Sequence, residues 1–348
     1  METVNKSENN ILKEFISGDF LSQDELKKAS DKFSKLFSGI SRVAVSGHVR
    51  PDGDCIGSCL AMYNYIRNLC SEIEVEVFLE KPQQKFSYLN GYEYIKSKID
   101  KNYIPELFIC LDAASAERLG FSEVLLERAG TSFAVDHHVT NTKFASTTVV
   151  EAEASSTCEL LYKLFDKQRI DKKVAECLYT GIVHDTGVFR YECTSKFTME
   201  AASELISKGV DFTSIIDESF YKKTYRQNQI LGRALLESVV FFHGKCIYSA
   251  MSRKIMDFYG VNGADLEGIV SQLRNTEGIE MAVFMYELEP HVYKVSMRSL
   301  KEVDVSQIAM QFGGGGHKRA AGFTMTGSPH DIVNNISSRL VSILKIED

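Results

Sequence analysis

Short apolar segments alternate with helical patterns in the first part of the chain. RVAVSG, which begins at Arg42, predicts a strand ending in glycine, and IEVEVFLE alternates apolar and polar positions like a half-buried strand. ELFICLDA and TSFAVDHH are continuous apolar runs, which are typical of strands buried on both faces. Helical patterns cover about residues 57–70, 157–166 and 172–184. Strands that alternate with helices predict a parallel α/β sheet.

A second, smaller α/β pattern occupies the last third of the chain. FFHGKCIYSAMS and EMAVFMYELEPHVYKVSMRS predict strands and a hairpin, and VSQIAMQFG predicts a helix that leads into four glycines. Residues 219–236 predict one helix with four basic residues and no acid, a composition that favours a solvated connector over a binding surface.

The order of these patterns predicts four regions. Leu26, Phe33, Leu36 and Phe37 recur at helical spacing within a polar N-terminal segment, which we expect to pack on the first domain. We therefore expect an N-terminal helical extension over residues 1–40, a first domain over 41–200, a helical linker over 201–236 and a second domain over 237–348.

Composition agrees with a globular, two-domain chain. The 348 residues are 44% hydrophobic and 25% charged, and the formal net charge of −7 argues against broad adhesion to long nucleic acid. The N-terminus lacks an apolar signal core and no apolar run reaches the roughly 18 residues of a membrane span, so we expect a cytoplasmic protein with no membrane partner. Eight cysteines without a C-x-x-C pair predict reduced thiols.

Acidic and histidine residues are concentrated in four short segments. These are His48-Val-Arg-Pro-Asp52-Gly-Asp54, Leu111-Asp112, Asp136-His137-His138 and Thr180-Gly-Ile-Val-His-Asp185-Thr-Gly187. His48, Asp112 and Asp136 each follow a predicted strand, and the carboxyl ends of parallel strands form the ligand crevice of an open sheet. Asp185 would reach the same crevice from a helix.

Five carboxylates in one crevice, accompanied only by Arg50, require cations or large pKa shifts. Two divalent ions about 3.5–4 Å apart would balance this charge and support hydrolysis. Mixed carboxylate and imidazole ligands favour Mn²⁺, with Mg²⁺, Co²⁺ or Fe²⁺ as alternatives.

A second candidate site follows the predicted helix VSQIAMQFG. Gly313–Gly316 could form a flexible linker, but the following His317-Lys318-Arg319 favours a loop whose backbone N–H groups bind an anion. Residues 291–323 contain five basic and two acidic residues, a local positive charge in an acidic protein. The expected substrate-binding residues are Arg298, Ser299, Gly314, Gly315, Gly316, His317 and Arg319.

Together, the motifs H-x-R-P-D-x-D, L-D, D-H-H and D-T-G resemble the DHH phosphoesterase family. The segment Gly313–Phe323 resembles the glycine-rich motif of the DHH-associated second domain, so the resemblance extends from about Arg42 to Phe323. It implies an α/β fold in which an N-terminal parallel-sheet DHH domain is joined by a helical linker to a smaller C-terminal α/β domain.

The resemblance also implies a role for each site residue. One metal ion would be bound by His48, Asp52 and Asp112, and the other by Asp54, Asp112, His137 and Asp185. Asp112 would then bridge the two ions. His138 would assist the leaving group, and Asp136 would orient a neighbouring histidine. His184 is interpreted as structural.

The implied function is metal-dependent hydrolysis of short oligoribonucleotides (nanoRNA, pApA) to mononucleotides, together with removal of phosphate from 3′-phosphoadenosine 5′-phosphate (pAp). Cyclic di-AMP is the alternative substrate, and a homodimer is left open. A non-catalytic nucleotide sensor is a third hypothesis, but it predicts the loss of at least one metal ligand, and all six are present.

Overall fold

The structure is a computed structural model that describes residues 31 and 33–344, apart from the side chains of residues 317 and 342–344. It divides into two compact units, Met1–Lys222 and Lys223–Asp348. Of the predicted N-terminal extension, Phe33 and Phe37 are buried in the core of the first unit, whereas Leu26 lies outside the described residues. Within the described residues, none of the helices has both the length and the apolar composition that a membrane span requires.

The first unit contains a five-stranded parallel sheet in the order β2-β1-β3-β4-β5, which confirms the predicted α/β class. The strands are β1 (Arg42–Ser46), β2 (Glu74–Phe78), β3 (Leu107–Leu111), β4 (Thr131–Asp136) and β5 (Thr147–Val150). The continuous apolar run predicted at β3 is buried at every position. The helices are α1 (Gly53–Leu69), α2 (Leu125–Arg128), α3 (Thr157–Leu164), α4 (Lys172–Asp185), α5 (Lys196–Ser207) and α6 (Phe212–Ile215).

Helix α1 begins earlier than the sequence pattern predicts, at Gly53 instead of residue 57. The reason is its N-cap, because the side chain of Asp52 accepts hydrogen bonds from the backbone N–H groups of Asp54 and Cys55, both at 3.1 Å. The early start brings Asp54 into the first helical turn and so fixes its position relative to β1.

The prediction of one continuous helix over residues 219–236 is wrong. A π-helical turn (Ile216–Tyr221) ends in the first unit, and helix α7 (Tyr225–Leu236) starts in the second with Thr224 as its N-cap. The region predicted as a linker, residues 201–236, is thus divided between the units. Lys222 pairs with Glu218 and Arg233 pairs with Glu237, as expected for a solvated face.

The second unit contains a six-stranded mixed sheet in the order β10-β11-β9-β8-β7-β6, in which only the β7–β8 pair is parallel. The strands are β6 (Val239–Phe241), β7 (Cys246–Met251), β8 (Met281–Glu289), β9 (Val292–Ser299), β10 (Gly315–His317) and β11 (Ala320–Thr326). The helices after α7 are α8 (Arg253–Tyr259), α9 (Ile269–Arg274), α10 (Val305–Gln311) and α11 (Pro329–Leu344).

Candidate metal centre and phosphate clamp

Three strands of the parallel sheet deliver the candidate residues to one edge. His48 follows β1, Asp112 follows β3, and Asp136 ends β4 with His137 and His138 directly after it. Asp54 in the first turn of α1 and Asp185 at the end of α4 complete the set. The structure therefore brings together residues that lie up to 137 positions apart, from His48 to Asp185.

Asp112 lies at the centre of this cluster. The residue is only 2% exposed, and its two carboxylate oxygens face different histidines. Oδ2 lies 3.4 Å from Nε2 of His48, and Oδ1 lies 3.6 Å from Nε2 of His137. The backbone at Asp112 has a left-handed φ of 55°, a conformation that aspartate tolerates better than most residues.

The two histidines that face Asp112 are held in the same way. Nδ1 of His48 lies 2.8 Å from the carbonyl oxygen of Val49, and Nδ1 of His137 lies 3.3 Å from that of Ala154. A carbonyl can only accept, so Nδ1–H donates in both rings and Nε2 is directed at the carboxylates. This is the arrangement in which a protein presents a histidine nitrogen to a metal ion.

Asp54 is completely buried at the N-terminus of helix α3. Its Oδ2 accepts a hydrogen bond from the N–H of Thr157 at 2.7 Å, and its Oδ1 accepts one from the N–H of Cys158 at 2.9 Å. The helix N-terminus stabilises a negative charge at this point. Burial nevertheless raises the pKa of Asp54 well above its usual value, and the charge of Asp112 adds to the effect.

The charges of the cluster fit bound cations. Burial raises the pKa of Asp185 to about 6, although its Oδ2 lies 3.1 Å from Nε2 of His137. Burial opposes protonation of His137, yet its hydrogen bond to Asp185 and the surrounding carboxylates raise its pKa well above the usual value. Repulsion between the carboxylates adds to burial in raising the pKa values of Asp54 and Asp185, and divalent ions would relieve this repulsion, so the donor set suits them.

Among the described residues, three groups of three side chains could each hold a metal ion, because the ligand atoms within each group lie within 4.8 Å of one another. They are Asp54 with His137 and Asp185, Asp112 with His137 and His138, and His48 with Cys55 and Asp112. Asp52 belongs to none of these groups, but its Oδ1 lies 3.6 Å from Nε2 of His48. Cys55 was not among the predicted site residues, and burial raises the pKa of its thiol well above the usual value.

Asp136 is buried and contacts His138. Its Oδ1 accepts a hydrogen bond from Nδ1 of His138 at 2.7 Å, and its Oδ2 accepts one from Asn141 at 2.7 Å. The hydrogen bond to Asp136 raises the pKa of His138. His184 packs between Phe86 and Phe220, with ring centroids 5.0 and 5.5 Å away, so its environment is that of a core residue.

Gly181 allows helix α4 to approach the candidate metal centre closely. A Cβ atom at this position would lie 2.2 Å from Sγ of Cys158 and 2.5 Å from Oδ1 of Asp54. No side chain can be accommodated there without moving the buried carboxylate, which explains why glycine occupies this position of the last motif.

In the second unit, the predicted glycine loop is a hairpin. Strand β10 pairs with β11 in antiparallel register, with Gly315 opposite Gly322 and Gly316 opposite Ala321. Gly316 has a φ of 143°, and a Cβ there would lie 2.4 Å from the carbonyl oxygen of Ala320. The interpretation of these glycines as a flexible linker is therefore wrong.

Two of the expected clamp side chains, Ser299 and Arg319, bond to the carbonyl oxygen of Val303. This oxygen accepts hydrogen bonds from Oγ of Ser299 at 2.6 Å and from Nη1 of Arg319 at 3.1 Å. Arg298 donates from Nη1 to the carbonyl of Met297 at 3.0 Å. The Ser299 side chain is buried at 1% exposure, so the arginines and the hairpin backbone are the better candidates for contact with an anion.

Family models match a large part of each of the two units. The family model described as the DHH family, N-terminal domain, matches residues 42–182, and the DHHA1 domain model matches residues 243–345. A crystal structure of an exopolyphosphatase-related protein from Bacteroides fragilis has a similar fold, with a TM-score of 0.83 at 24% identity over 92% of this chain and 98% of that chain.

The curated relatives include two proteins whose names give different activities. The bifunctional oligoribonuclease and PAP phosphatase NrnA of Thermus thermophilus is 30% identical over 288 residues, which cover 82% of this chain and 84% of the relative. The cyclic-di-AMP phosphodiesterase PdeA of Listeria monocytogenes is 30% identical over 312 residues, which cover 83% of this chain and 45% of the relative.

Proposed function

Because the chain belongs to the DHH family of phosphoesterases, we propose that it hydrolyses short oligoribonucleotides to mononucleotides and removes phosphate from pAp. The observation that carries this proposal is the position of Asp112, whose two carboxylate oxygens face His48 on one side and His137 on the other. One carboxylate shared between two sets of ligands is typical of two-metal phosphoesterases.

We assign the six candidate ligands to two divalent ions. His48, Asp52 and Asp112 would hold one ion, and Asp54, Asp112, His137 and Asp185 would hold the other. Mn²⁺ suits this mixture of oxygen and imidazole nitrogen donors. When bound, the ions balance the carboxylate charge, polarise the phosphoryl oxygens and generate the attacking nucleophile from water.

We assign the two remaining residues of the centre to the leaving group: Asp136 would orient His138, and His138 would protonate the departing oxygen. Asp136 fixes the His138 ring by accepting a hydrogen bond from Nδ1, and it favours the protonated ring. We assign His138 to the departing oxygen, to which it would donate a proton as the phosphorus–oxygen bond breaks. Asp136 is not itself in contact with substrate and acts through His138.

In the second unit, we propose that the β10–β11 hairpin binds a substrate phosphate. The N–H of Gly314 donates to the carbonyl of Ala309 at 2.9 Å, so Gly314 would shape the turn, and the backbone of Gly315, Gly316 and His317 would face the anion. A Cβ atom at Gly315 would meet no atom within 4 Å, so this side of the hairpin is open. Arg298 and Arg319 supply positive charge, and Ser299 holds the Val303 carbonyl to which Arg319 is bonded. The preference for a short substrate with a terminal phosphate would depend on this clamp.

A cyclic di-AMP phosphodiesterase is the second candidate, favoured by the similarity to the Listeria relative. The experiment that separates the candidates uses metal-stripped protein, with and without Mn²⁺, and follows products by chromatography. The substrates are pApA, a five-nucleotide RNA, a long RNA, cyclic di-AMP, pAp and pyrophosphate.

We expect Mn²⁺-dependent release of mononucleotides from pApA and of phosphate from pAp, with little product from long RNA. The Asp112→Asn protein is the control, because it keeps the size of the side chain and lacks the shared carboxylate. Faster cleavage of cyclic di-AMP than of pApA would favour the second candidate, and activity on pyrophosphate alone would contradict both.

A further inference from the structure

Thr157 contacts two of the candidate metal ligands at once. Its backbone N–H donates to Oδ2 of Asp54 at 2.7 Å, and its hydroxyl donates to Oδ1 of Asp112 at 3.2 Å. These carboxylates belong to different parts of the fold, the first turn of α1 and the residue directly after β3. Thr157 is completely buried, so no solvent competes for either hydrogen bond.

The hydroxyl of Thr157 restricts rotation of the Asp112 carboxylate. The oxygen that accepts it, Oδ1, is the one that faces His137, whereas Oδ2 faces His48. A carboxylate can rotate about its terminal bond with little resistance, because that torsion has broad minima. A hydrogen bond to one oxygen therefore fixes the plane of the carboxylate, and with it the directions in which both oxygens present their lone pairs.

Thr157 is itself held rigidly at the start of α3. The preceding Ser156 is the N-cap and accepts from the N–H of Glu159 at 3.0 Å. The buried carboxylate of Glu159 in turn accepts from the hydroxyls of Ser155 and Thr198, both at 2.6 Å. These bonds tie the start of α3 to α5, so the donors that Thr157 offers have a fixed position.

We propose that Thr157 is a positioning residue that sets the geometry of the two-metal centre by orienting Asp112 and Asp54 together. This proposal rests on the proposed function for the identity of the metal centre, but it does not depend on which phosphoester is hydrolysed. It predicts that loss of the hydroxyl weakens metal binding even when the volume of the side chain is unchanged.

The test compares Thr157→Val, which has nearly the same shape but no hydroxyl, with Thr157→Ser, which keeps the hydroxyl. Thr148 provides a matched control, since it is a buried threonine whose hydroxyl has no hydrogen-bond partner among the residues that the structure describes. Metal-stripped proteins are titrated with MnCl₂ by calorimetry, and the Mn²⁺ concentration for half-maximal hydrolysis of pApA is measured separately.

We expect Thr157→Val to weaken Mn²⁺ binding about 10- to 100-fold, the usual effect of removing a group that orients a ligand. Thr157→Ser should retain most of the affinity, and Thr148→Val should match the wild type. Unchanged binding by Thr157→Val, or equal losses in the valine and serine variants, would overturn the proposal. Thermal unfolding of the metal-free proteins shows whether each variant folds, and Thr157→Ala replaces the valine variant if it does not.

The two hypotheses fail in different ways. If the wild-type protein binds Mn²⁺ but hydrolyses none of the tested phosphoesters, the proposed function is wrong, and the calorimetric order of the variants still decides the role of Thr157. If the wild-type protein hydrolyses pApA and Thr157→Val needs no more Mn²⁺ than wild type, only the role of Thr157 is wrong.

Discussion

His138 donates from Nδ1 to the buried carboxylate of Asp136 at 2.7 Å, whereas the adjacent His137 turns its Nε2 towards Asp185. Neighbouring histidines of one motif are thus held by different partners and face different groups. Both rings also lie 3.6 Å from Oδ1 of Asp112, so it is these second partners that distinguish the metal ligand from the proton donor in the proposed function.

Replacement of Asp136 by asparagine should lower kcat and leave metal binding intact. The two oxygens of Asp136 accept one hydrogen bond each, from His138 and from Asn141. Asparagine has one oxygen and one NH₂ group in their place, so one of the two donors loses its acceptor and the His138 ring is held less firmly. We expect kcat to fall about 10- to 100-fold, as for other partners of functional histidines. The double variant with His138→Ala should be no slower than His138→Ala alone, because Asp136 acts through that ring. Additive losses would show that Asp136 has another role.

The Asp112→Asn variant should fold but gain no stability from Mn²⁺. A ligand present at 100 times its Kd stabilises the folded state by about 2.7 kcal/mol. Wild-type protein should show this gain as a rise in Tm, and the variant should not, because both ligand sets lose their shared carboxylate. The check is thermal unfolding with and without Mn²⁺, alongside hydrolysis of pApA. Near-normal activity of the variant would exclude the two-metal assignment.

Gly181→Ala should destabilise the first unit and weaken metal binding together. The new methyl group would lie 2.5 Å from Oδ1 of Asp54 and 2.2 Å from Sγ of Cys158, and overpacking of this kind costs about 1–3 kcal/mol. Gly232→Ala is the matched control, because that helical glycine has no atom within 4 Å of the added Cβ and alanine stabilises a helix by roughly 0.5–1 kcal/mol. Calorimetric unfolding measures the stability of both variants, and titration with Mn²⁺ measures their metal binding. Equal effects would contradict the close packing of α4.

Arg298→Ala should raise KM for pAp with little change in kcat. Hydrogen bonds to charged groups contribute about 1.5–3 kcal/mol, which corresponds to a rise of roughly 10- to 100-fold. The control is Arg253→Ala, which removes an exposed arginine paired with Asp257. Steady-state kinetics with saturating Mn²⁺ separates the two constants. A change in kcat alone would place Arg298 outside the substrate clamp.

The positions of the acidic residues could be predicted because buried strands have a strong sequence pattern. Residues 107–111 are apolar throughout, and a carboxylate directly after such a run must lie at the sheet edge. The start of α1 was misplaced because an aspartate can be a helix cap, a metal ligand or both, and the sequence does not show which N–H groups it accepts from.

Other features depend on contacts between distant residues. The helix break after Tyr221 has no glycine or proline to mark it, so the basic sequence there looks continuous. The hairpin of Gly315 and Gly316 forms only because Ala320–Gly322 lies opposite. Thr157 could not be recognised in advance, since its contact with Asp112 spans 45 positions and a threonine at a helix start is common.

The left-handed backbone at Asp112 restricts which residues can replace it during evolution. Asparagine and glycine are the substitutes that accept a φ of 55° with least strain, and each is reached from an aspartate codon by a single base change. Both remove the shared carboxylate and spare the surrounding strands. If the second unit binds a substrate phosphate as we propose, gene duplication followed by one such change would give a folded paralogue that binds the same ligands without hydrolysing them.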